Sequence, residues 1–129
     1  MTNSLEDGDI FAVIAEEGNV EKVDYYLLQC SRPKTKLLVD TIDDHGNSYE
    51  RYSVVVYGRY YAKVTTRGKD IHFVQYEWNK EAIMYSHLVI AVKLQLQRVK
   101  SKKKTPTWKL SHLDHESILD TLRNREDQI

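Results

Sequence analysis

The sequence predicts a mostly β domain, built as a small antiparallel and strongly bent sheet or barrel, with a C-terminal α-helix. The clearest signal is the strict period-two spacing of Leu88, Ile90, Val92, Leu94 and Leu96, which is the spacing of one strand face. Six strand-like segments follow one another with connections too short for crossover helices. Short connections can join antiparallel strands, and a bent sheet or barrel can bury the apolar face of these strands.

The six segments are separated by turn and polar residues. They are DIFAVI from Asp9, VDYYLLQCSR from Val23, KTKLLVDTI from Lys34, YSVVVYGRYYAKVTT from Tyr52, DIHFVQYEW from Asp70 and HLVIAVKLQLQRV from His87. Pro33 is expected to end the second segment or to mark a sheet edge. The stretch DDHGNS is typical of a turn, and Gly58 is expected to mark a bulge or a sharp corner in the fourth segment.

The stretch RGKD predicts a hairpin turn between the fourth and fifth segments. If Thr66 and Asp70 flank this turn, Tyr60 lies opposite Tyr76 on one face. The following stretch NKEAIMYSH is expected to form a loop or a single helical turn.

Composition divides the chain into four parts: a flexible N-terminus at 1–7, the β domain at 8–99, a basic linker at 100–106 and a helical segment at 107–129. Ser111 and Asp114 fit a helix capping pair, or Asp114 is itself the N-cap. Leu113, Ile118 and Leu122 form an apolar stripe on this helix. A helix this short is marginal alone, so the stripe is expected to dock on the sheet, across a homo-oligomer or on a partner.

Charge and cysteine content restrict the class of protein. Lys+Arg and Asp+Glu are 19 each, which argues against a nucleic-acid coat protein but leaves a local basic patch open. Cys30 is the single cysteine and lies in an apolar run, so a buried, reduced thiol in a reducing compartment is expected. No signal peptide and no membrane span is evident. We expect a nuclear location, with the cytoplasm as the alternative.

Motifs for catalysis, metals and cofactors are missing. The five histidines do not form an H-E-x-x-H motif, and a chain with one cysteine has no C-x-x-C motif. The sequence also lacks the G-x-S-x-G motif of a serine nucleophile and a glycine-rich phosphate loop. Ser86 and His87 are neighbours, so in a strand their side chains would point to opposite faces. The expectation is a protein that is not an enzyme and has no cofactor and no metal.

Tyrosine is the residue that distinguishes this chain, with nine tyrosines against two phenylalanines. Its ring is apolar and its tip is polar, so the rings either fill a small barrel or form a binding surface. Rings that converge attract a methylammonium cation, which also favours an acidic neighbour. The candidate ligand-binding residues are Tyr60, Tyr76, Glu77, Trp78 and Tyr85, with Asp43 and Asp44 as further acidic candidates.

An alternative is a β-barrel that binds nucleic acid. Basic residues interleaved with rings are typical of surfaces that stack single-stranded bases, and the lysine run after Val99 suits phosphate contacts or nuclear localisation. The candidate residues are Arg59, Lys63, Arg98, Lys100, Lys102, Lys103 and Lys104. A third possibility is a structural or assembly domain that self-associates through its C-terminal helix.

Three stretches resemble the chromatin-reader modules of the Tudor and bromo-adjacent-homology (BAH) group, which are SH3-like or similarly bent sheets. GDIFAVIAEE is similar to their first strand, YYLLQC to their second, and VQYEWNKEAIMY to the aromatic and acidic stretch before their closing strand. The resemblance covers Gly8 to Val99. It implies a non-catalytic, chromatin-associated module that binds a protein peptide, such as a modified histone tail.

Overall fold

Two larger sheets, a short hairpin and one helix make up the fold in the computed structural model, which describes residues 5–15, 24–64, 71–75, 80–100 and 105–126. The strands are β1 (Ile10–Ile14), β2 (Tyr25–Lys36), β3 (Thr41–Ile42), β4 (Ser48–Tyr49), β5 (Val54–Tyr60), β6 (Ala62–Val64), β7 (Ile71–Val74), β8 (Glu81–Tyr85), β9 (Val89–Leu94), β10 (Gln97–Val99) and β11 (Thr107–Leu110). A 3₁₀ turn (Ser86–Leu88) joins β8 to β9, and helix α1 spans His112–Glu126.

The mostly β, antiparallel architecture with a C-terminal helix is confirmed. The first sheet has the order β8-β5-β2-β1-β9, the second has the order β10-β11-β7-β6, and β3 pairs with β4 alone. The sheets are bent, but the described strands do not close into a barrel. The β8 and β9 edges of the first sheet therefore remain unpaired with each other.

Residues on both faces of β1 and of the first half of β2 are buried. Phe11 and Leu28 pack into a first core, which also contains Cys30, whereas Ala12 and Leu27 pack into a second core. The second core lies where the first sheet meets the second sheet and α1, because it includes residues of all three. Burial on both faces explains why these two segments are nearly continuous apolar runs. The expected burial of Cys30 is confirmed.

One of the two expectations for Gly58, a bulge, is met beside it: Cys30 pairs with Gly58 but Arg32 pairs with Tyr57, so β2 carries one extra residue there. Gly58 itself does not form the alternative, a sharp corner. It lies inside β5 with both neighbours in strand conformation, and its backbone does not have a positive φ. A Cβ at this position would lie 3.0 Å from Phe11 Cζ and 3.0 Å from the carbonyl oxygen of Gln29. The glycine is therefore needed for close packing against Phe11, which is fully buried.

The corner between the two sheets lies at Tyr61 instead. The chain leaves β5 after Tyr60 and enters β6 at Ala62, and the N–H of Tyr61 donates to the carbonyl of Leu27 at 2.9 Å. In the β6–β7 pair, Ala62 faces Val74. This register confirms the predicted pairing of the fourth and fifth segments, although Tyr60 itself pairs with Leu28 of β2.

The third expected strand, residues 34–42, is divided between two strands, since its start belongs to β2 and its end forms β3. Residues 34–36 continue β2 through Pro33, where pairing with β5 shifts register between Arg32 and Thr35. A bulge of this kind accommodates the proline, which lacks an N–H for the sheet. Leu37 is buried, whereas Leu38 and Val39 are exposed on the connection to β3.

Two further expectations are corrected on the C-terminal side of the first sheet. Residues 81–85 form strand β8, whereas a loop or helical turn was expected, and the 3₁₀ turn follows at Ser86. The period-two residues do not share one face: Ile90 and Leu94 pack against the second core, whereas Leu88 and Val92 pack against the first. The β1–β9 register shifts twice, which breaks the alternation.

The C-terminal segment begins as a strand before it becomes a helix. Thr107–Leu110 form β11 between β7 and β10, so the expected helical segment starts only at His112. Ser111 is the helix cap, because its Oγ accepts the N–H of Asp114 at 3.1 Å. No helix in the described part of the chain is long and apolar enough to cross a membrane.

Helix α1 docks on its own domain through only part of the predicted stripe. Ile118 and Leu122 are buried in the second core, whereas Leu113 is 79% exposed. At about 100° per residue, Leu113 lies about 140° around the helix from Ile118, so it faces away from the sheets. His115, three residues before Ile118, lies on the docked side, where it contacts Tyr25.

Candidate binding cleft

A cleft of about 490 Å³ opens where the start of β2 meets the corner between β5 and β6. We call it the tyrosine cleft. Its lining includes Asp24, Tyr25, Tyr26, His45, Tyr60, Tyr61 and Lys63. This volume lies within the range of ligand sites in proteins, which are mostly apolar with a few polar groups.

Two pairs of adjacent tyrosines line the cleft at the end of the first sheet. Because neighbours in a strand point to opposite faces, the two rings of a pair differ in burial. Tyr25 is buried, whereas Tyr26 is 36% exposed. The β2–β5 register pairs Leu28 with Tyr60, so Tyr26 and Tyr60 are diagonal neighbours on one face. Tyr61 follows at the corner, where its ring is buried in the second core.

One half of the cleft is a set of rings that meet edge to face. The ring centroids of Tyr26 and Tyr60 are 5.6 Å apart at 84°, and those of His45 and Tyr60 are 5.7 Å apart at 87°. We call these three residues the ring set. The hydroxyl of Tyr60 donates to Met84 Sδ at 3.5 Å, which orients its ring. Such edge-to-face contacts add to the burial of each ring.

The turn before β4 positions His45. Asp43 is buried, and its Oδ1 accepts the N–H groups of His45 and Asn47 at 3.0 and 2.9 Å. Its Oδ2 accepts the N–H of Ile83 in β8 at 3.1 Å, which ties the turn to the first sheet. His45 Nε2 lies 3.1 Å from the carbonyl oxygen of Lys80. Asp43, a candidate acid for ligand binding, thus has both oxygens engaged by backbone groups.

The other half of the cleft already holds a cation of the chain. Lys63 Nζ lies 5.3 Å from the ring centroid of Tyr25 and 3.3 Å from Asp24 Oδ1. The same carboxylate oxygen accepts the N–H of Tyr25 at 2.8 Å. Among the described residues that line the cleft, Asp24 is the only carboxylate.

Tyr25, Tyr60 and Tyr61 are uncharged at neutral pH. Burial raises the pKa of Tyr25, Tyr60 and Tyr61, that of Tyr61 to about 12. Nearby Asp24 raises the pKa of Tyr25 further, and Tyr26 and Asp43 do the same for Tyr60. Neutral phenols keep their electron-rich faces and can donate hydrogen bonds.

The predicted ligand-binding residues are not all brought together. Tyr60 belongs to the ring set. Tyr85 lies elsewhere, with its ring 4.9 Å from that of Tyr49 and 5.5 Å from that of His87. Tyr76, Glu77 and Trp78 lie outside the described residues. Of the two further acids, Asp44 is exposed in the turn that presents His45.

The basic candidates are divided between sheets. Lys63 lies in β6 and is paired with Asp24, and Arg59 is exposed near the end of β5. Arg98 in β10 and Lys100 are exposed at the other edge of the second sheet, three strand spacings from β6. Three spacings amount to about 14 Å. Lys102, Lys103 and Lys104 lie outside the described residues.

Metal-binding side chains and the single thiol were the remaining candidates for reactive chemistry. Among the described residues, no three His, Cys, Asp or Glu side chains lie close enough to hold a metal ion. Burial raises the pKa of the Cys30 thiol, which donates to the carbonyl oxygen of Arg32 at 3.0 Å. This thiol is therefore protonated and packed at neutral pH.

Sequence analysis did not predict the roles of Asp24, Tyr26 and His45. The pair Tyr25-Tyr26 was a visible signal, but only the β2–β5 register shows which ring meets Tyr60. His45 reaches the cleft through an Asx turn, for which Asp43 followed by Gly46 is a detectable pattern. Comparison of the chain with protein-family models, with curated proteins and with solved structures found no match.

Proposed function

We propose that this protein is a non-catalytic binding module that takes a cationic side chain of a protein ligand into the tyrosine cleft. The favoured ligand is a methylated lysine, such as occurs on histone tails, which would make the protein chromatin-associated. The observation that carries the proposal is the ring set, in which the rings of Tyr26 and His45 each stand nearly perpendicular to that of Tyr60, in a cleft that Asp24 also lines.

Ring geometry favours a cation over a neutral group. A cation within about 6 Å of an aromatic face gains about 0.5–2 kcal/mol, and rings at right angles can enclose it from several sides. Lys63 supports this, since its ammonium group already lies over Tyr25 and beside Asp24. The cleft thus stabilises positive charge within the chain itself.

The position of the cleft in the fold also supports the proposal. It lies at the end of a bent, five-stranded sheet of order β9-β1-β2-β5-β8, in which a 3₁₀ turn joins the two edge strands, β8 and β9. Aromatic residues at one end of a bent sheet agree with the peptide-binding module that the sequence resemblance implies. Tyr26 and Tyr60 project from the ends of β2 and β5.

The two alternatives have less support. A nucleic-acid surface would need several basic residues near the rings. Arg59 is exposed there, but Lys63 is paired with Asp24, and Arg98 lies on the far edge of the second sheet. Assembly through α1 would need Ile118 and Leu122, which the chain's own second core covers. The experiment that follows distinguishes both alternatives from the proposed function.

The test is binding of fluorescent histone-tail peptides, with lysines unmodified or methylated, measured by anisotropy at two salt concentrations. We expect methyl-lysine peptides to bind with little salt dependence and Tyr26→Ala to weaken them about tenfold or more. Tyr26 is the best variant because its ring is partly exposed, so the fold should survive. Tyr52→Ala is the matched control, since Tyr52 is an exposed tyrosine outside the cleft.

Three results would overturn the proposal. If oligonucleotides bind and peptides do not, with affinity falling steeply as salt rises, the surface contacts phosphates. If neither ligand binds and sedimentation shows concentration-dependent association, the assembly alternative is favoured. Equal loss of binding in the Tyr26 and Tyr52 variants would also exclude the tyrosine cleft as the site.

A further inference from the structure

We propose that Lys63 determines specificity by occupying the carboxylate of the tyrosine cleft, so that the cleft selects quaternary ammonium groups over primary ammonium groups. This inference rests on the proposed function and concerns the same site. It follows from how the two halves of the cleft divide the contacts that different cations need.

A primary ammonium group needs hydrogen-bond acceptors because it gives up strongly held water on binding. Asp24 is the one carboxylate among the described lining residues, and Lys63 Nζ already lies 3.3 Å from its Oδ1. The nearby Asp43 offers no substitute, since backbone N–H groups engage both of its oxygens. At Oδ1, an unmodified lysine of a ligand therefore competes with Lys63 and with the N–H of Tyr25, which donates to the same oxygen at 2.8 Å.

A quaternary ammonium group has no N–H and makes no hydrogen bond. It needs only aromatic faces, and Tyr26, Tyr60 and His45 supply such faces without taking part in the Lys63–Asp24 pair. Trimethyl-lysine can bind this ring set while Lys63 stays in place. Lys63 thus lowers the apparent affinity for one class of cation and not for the other.

Lys63 suits this role because its contact is local and weak. Lys63 lies in β6, opposite Phe73 of β7, which keeps its backbone near the cleft. The side chains of Lys63 and Asp24 are 42% and 52% exposed, and an exposed ion pair is only marginally stable. The ammonium group is tethered and competes at a high effective concentration, but a ligand can still displace it.

The experiment uses two short Gly-Ser peptides that carry one central lysine, either unmodified or trimethylated. Binding is measured by calorimetry for the full chain and for Lys63→Met, which keeps most of the aliphatic stem and removes the charge. We expect Lys63→Met to raise the affinity for the unmodified peptide about threefold to tenfold and to change that for the trimethylated peptide less than about twofold. Arg59→Met is the control, because Arg59 is exposed near the cleft but does not line it.

The outcomes separate the two proposals. If the wild-type chain binds the trimethylated peptide but Lys63→Met gains nothing for the unmodified one, the role of Lys63 is wrong and the proposed function stands. If Lys63→Met weakens both peptides, Lys63 supports binding instead of opposing it, which also overturns the inference. If neither peptide binds to wild type or to Lys63→Met, the proposed function fails and the inference fails with it.

Discussion

The phenol oxygen of Tyr25 lies 2.7 Å from Nδ1 of His115, so a hydrogen bond joins the start of β2 to helix α1. Burial raises the pKa of Tyr25, whereas burial and the nearby positive charge of Lys63 lower the pKa of His115. The phenol therefore donates its proton, and the neutral imidazole accepts it. This bond links the floor of the tyrosine cleft to the C-terminal helix.

The free energy of unfolding is expected to fall as the pH decreases from about 7 to about 5. The pKa of His115 is lower in the folded chain than its unfolded value of about 6.5, so the unfolded chain takes up the proton first. His115→Asn cannot titrate, and its amide oxygen can accept the same hydrogen bond. Urea unfolding at both pH values should give a smaller decrease for this variant, and an equal decrease would contradict the prediction.

Removal of the Asp43 carboxylate is expected to destabilise the fold. Asp43→Ala leaves three backbone N–H groups without their acceptor, so we expect a loss of about 2–3 kcal/mol in the free energy of unfolding. Asp44→Ala is the matched control, since Asp44 is exposed and should change stability by less than about 0.5 kcal/mol. Similar losses in the two variants, measured by urea unfolding, would refute this role for Asp43.

The helix provides a comparison between two apolar residues five positions apart. Ile118 is 2% exposed and Leu113 is 79% exposed. Ile118→Ala is expected to cost about 2–5 kcal/mol through lost burial and a cavity, whereas Leu113→Ala should cost less than about 0.5 kcal/mol. Thermal unfolding monitored by circular dichroism distinguishes them, and the docked orientation of α1 is wrong if Leu113→Ala is the more damaging change.

Alanine at position 58 tests the close packing of β5 against β1. The added methyl group would lie 3.0 Å from Phe11 Cζ, and we expect Gly58→Ala to destabilise the fold by about 1–3 kcal/mol. Phe11→Leu shortens the opposing side chain, so the double variant should lose less than the sum of the two single losses. Strict additivity in urea unfolding would mean that the two residues do not conflict.

Tyr52 is expected to lower the stability of its own fold. Its φ is 71°, and its ring is exposed, where the cations of Lys36 and Arg51 lie 5.6 and 5.2 Å from its centroid. Glycine adopts this backbone region without the steric cost, so Tyr52→Gly should keep or raise the free energy of unfolding by up to about 1 kcal/mol. A clear loss of stability would show instead that the two exposed cation contacts outweigh the backbone strain.

Local pattern determined much of the secondary structure in this protein. The apolar runs located β1, β2 and β5, the turn residues located the hairpin that carries His45, and the sequence predicted the β6–β7 register. Ser111 marked the start of the helix. These features depend on neighbours close in sequence, through side-chain alternation, capping and turn conformation.

Tertiary structure decided the features that depend on which surfaces meet. Sequence periodicity could not show that β9 contributes to two cores, because bulges against β1 change its alternation. Nor could it show that Gly58 serves close packing, since the conflicting atom belongs to Phe11 of another strand. The sequence could not predict the cleft either. Tyr26 meets Tyr60 only through the β2–β5 register. Lys63 meets Asp24 only because the chain turns at Tyr61 into a second sheet. Contacts between distant segments follow from burial shared across the whole fold, which a one-dimensional pattern does not contain.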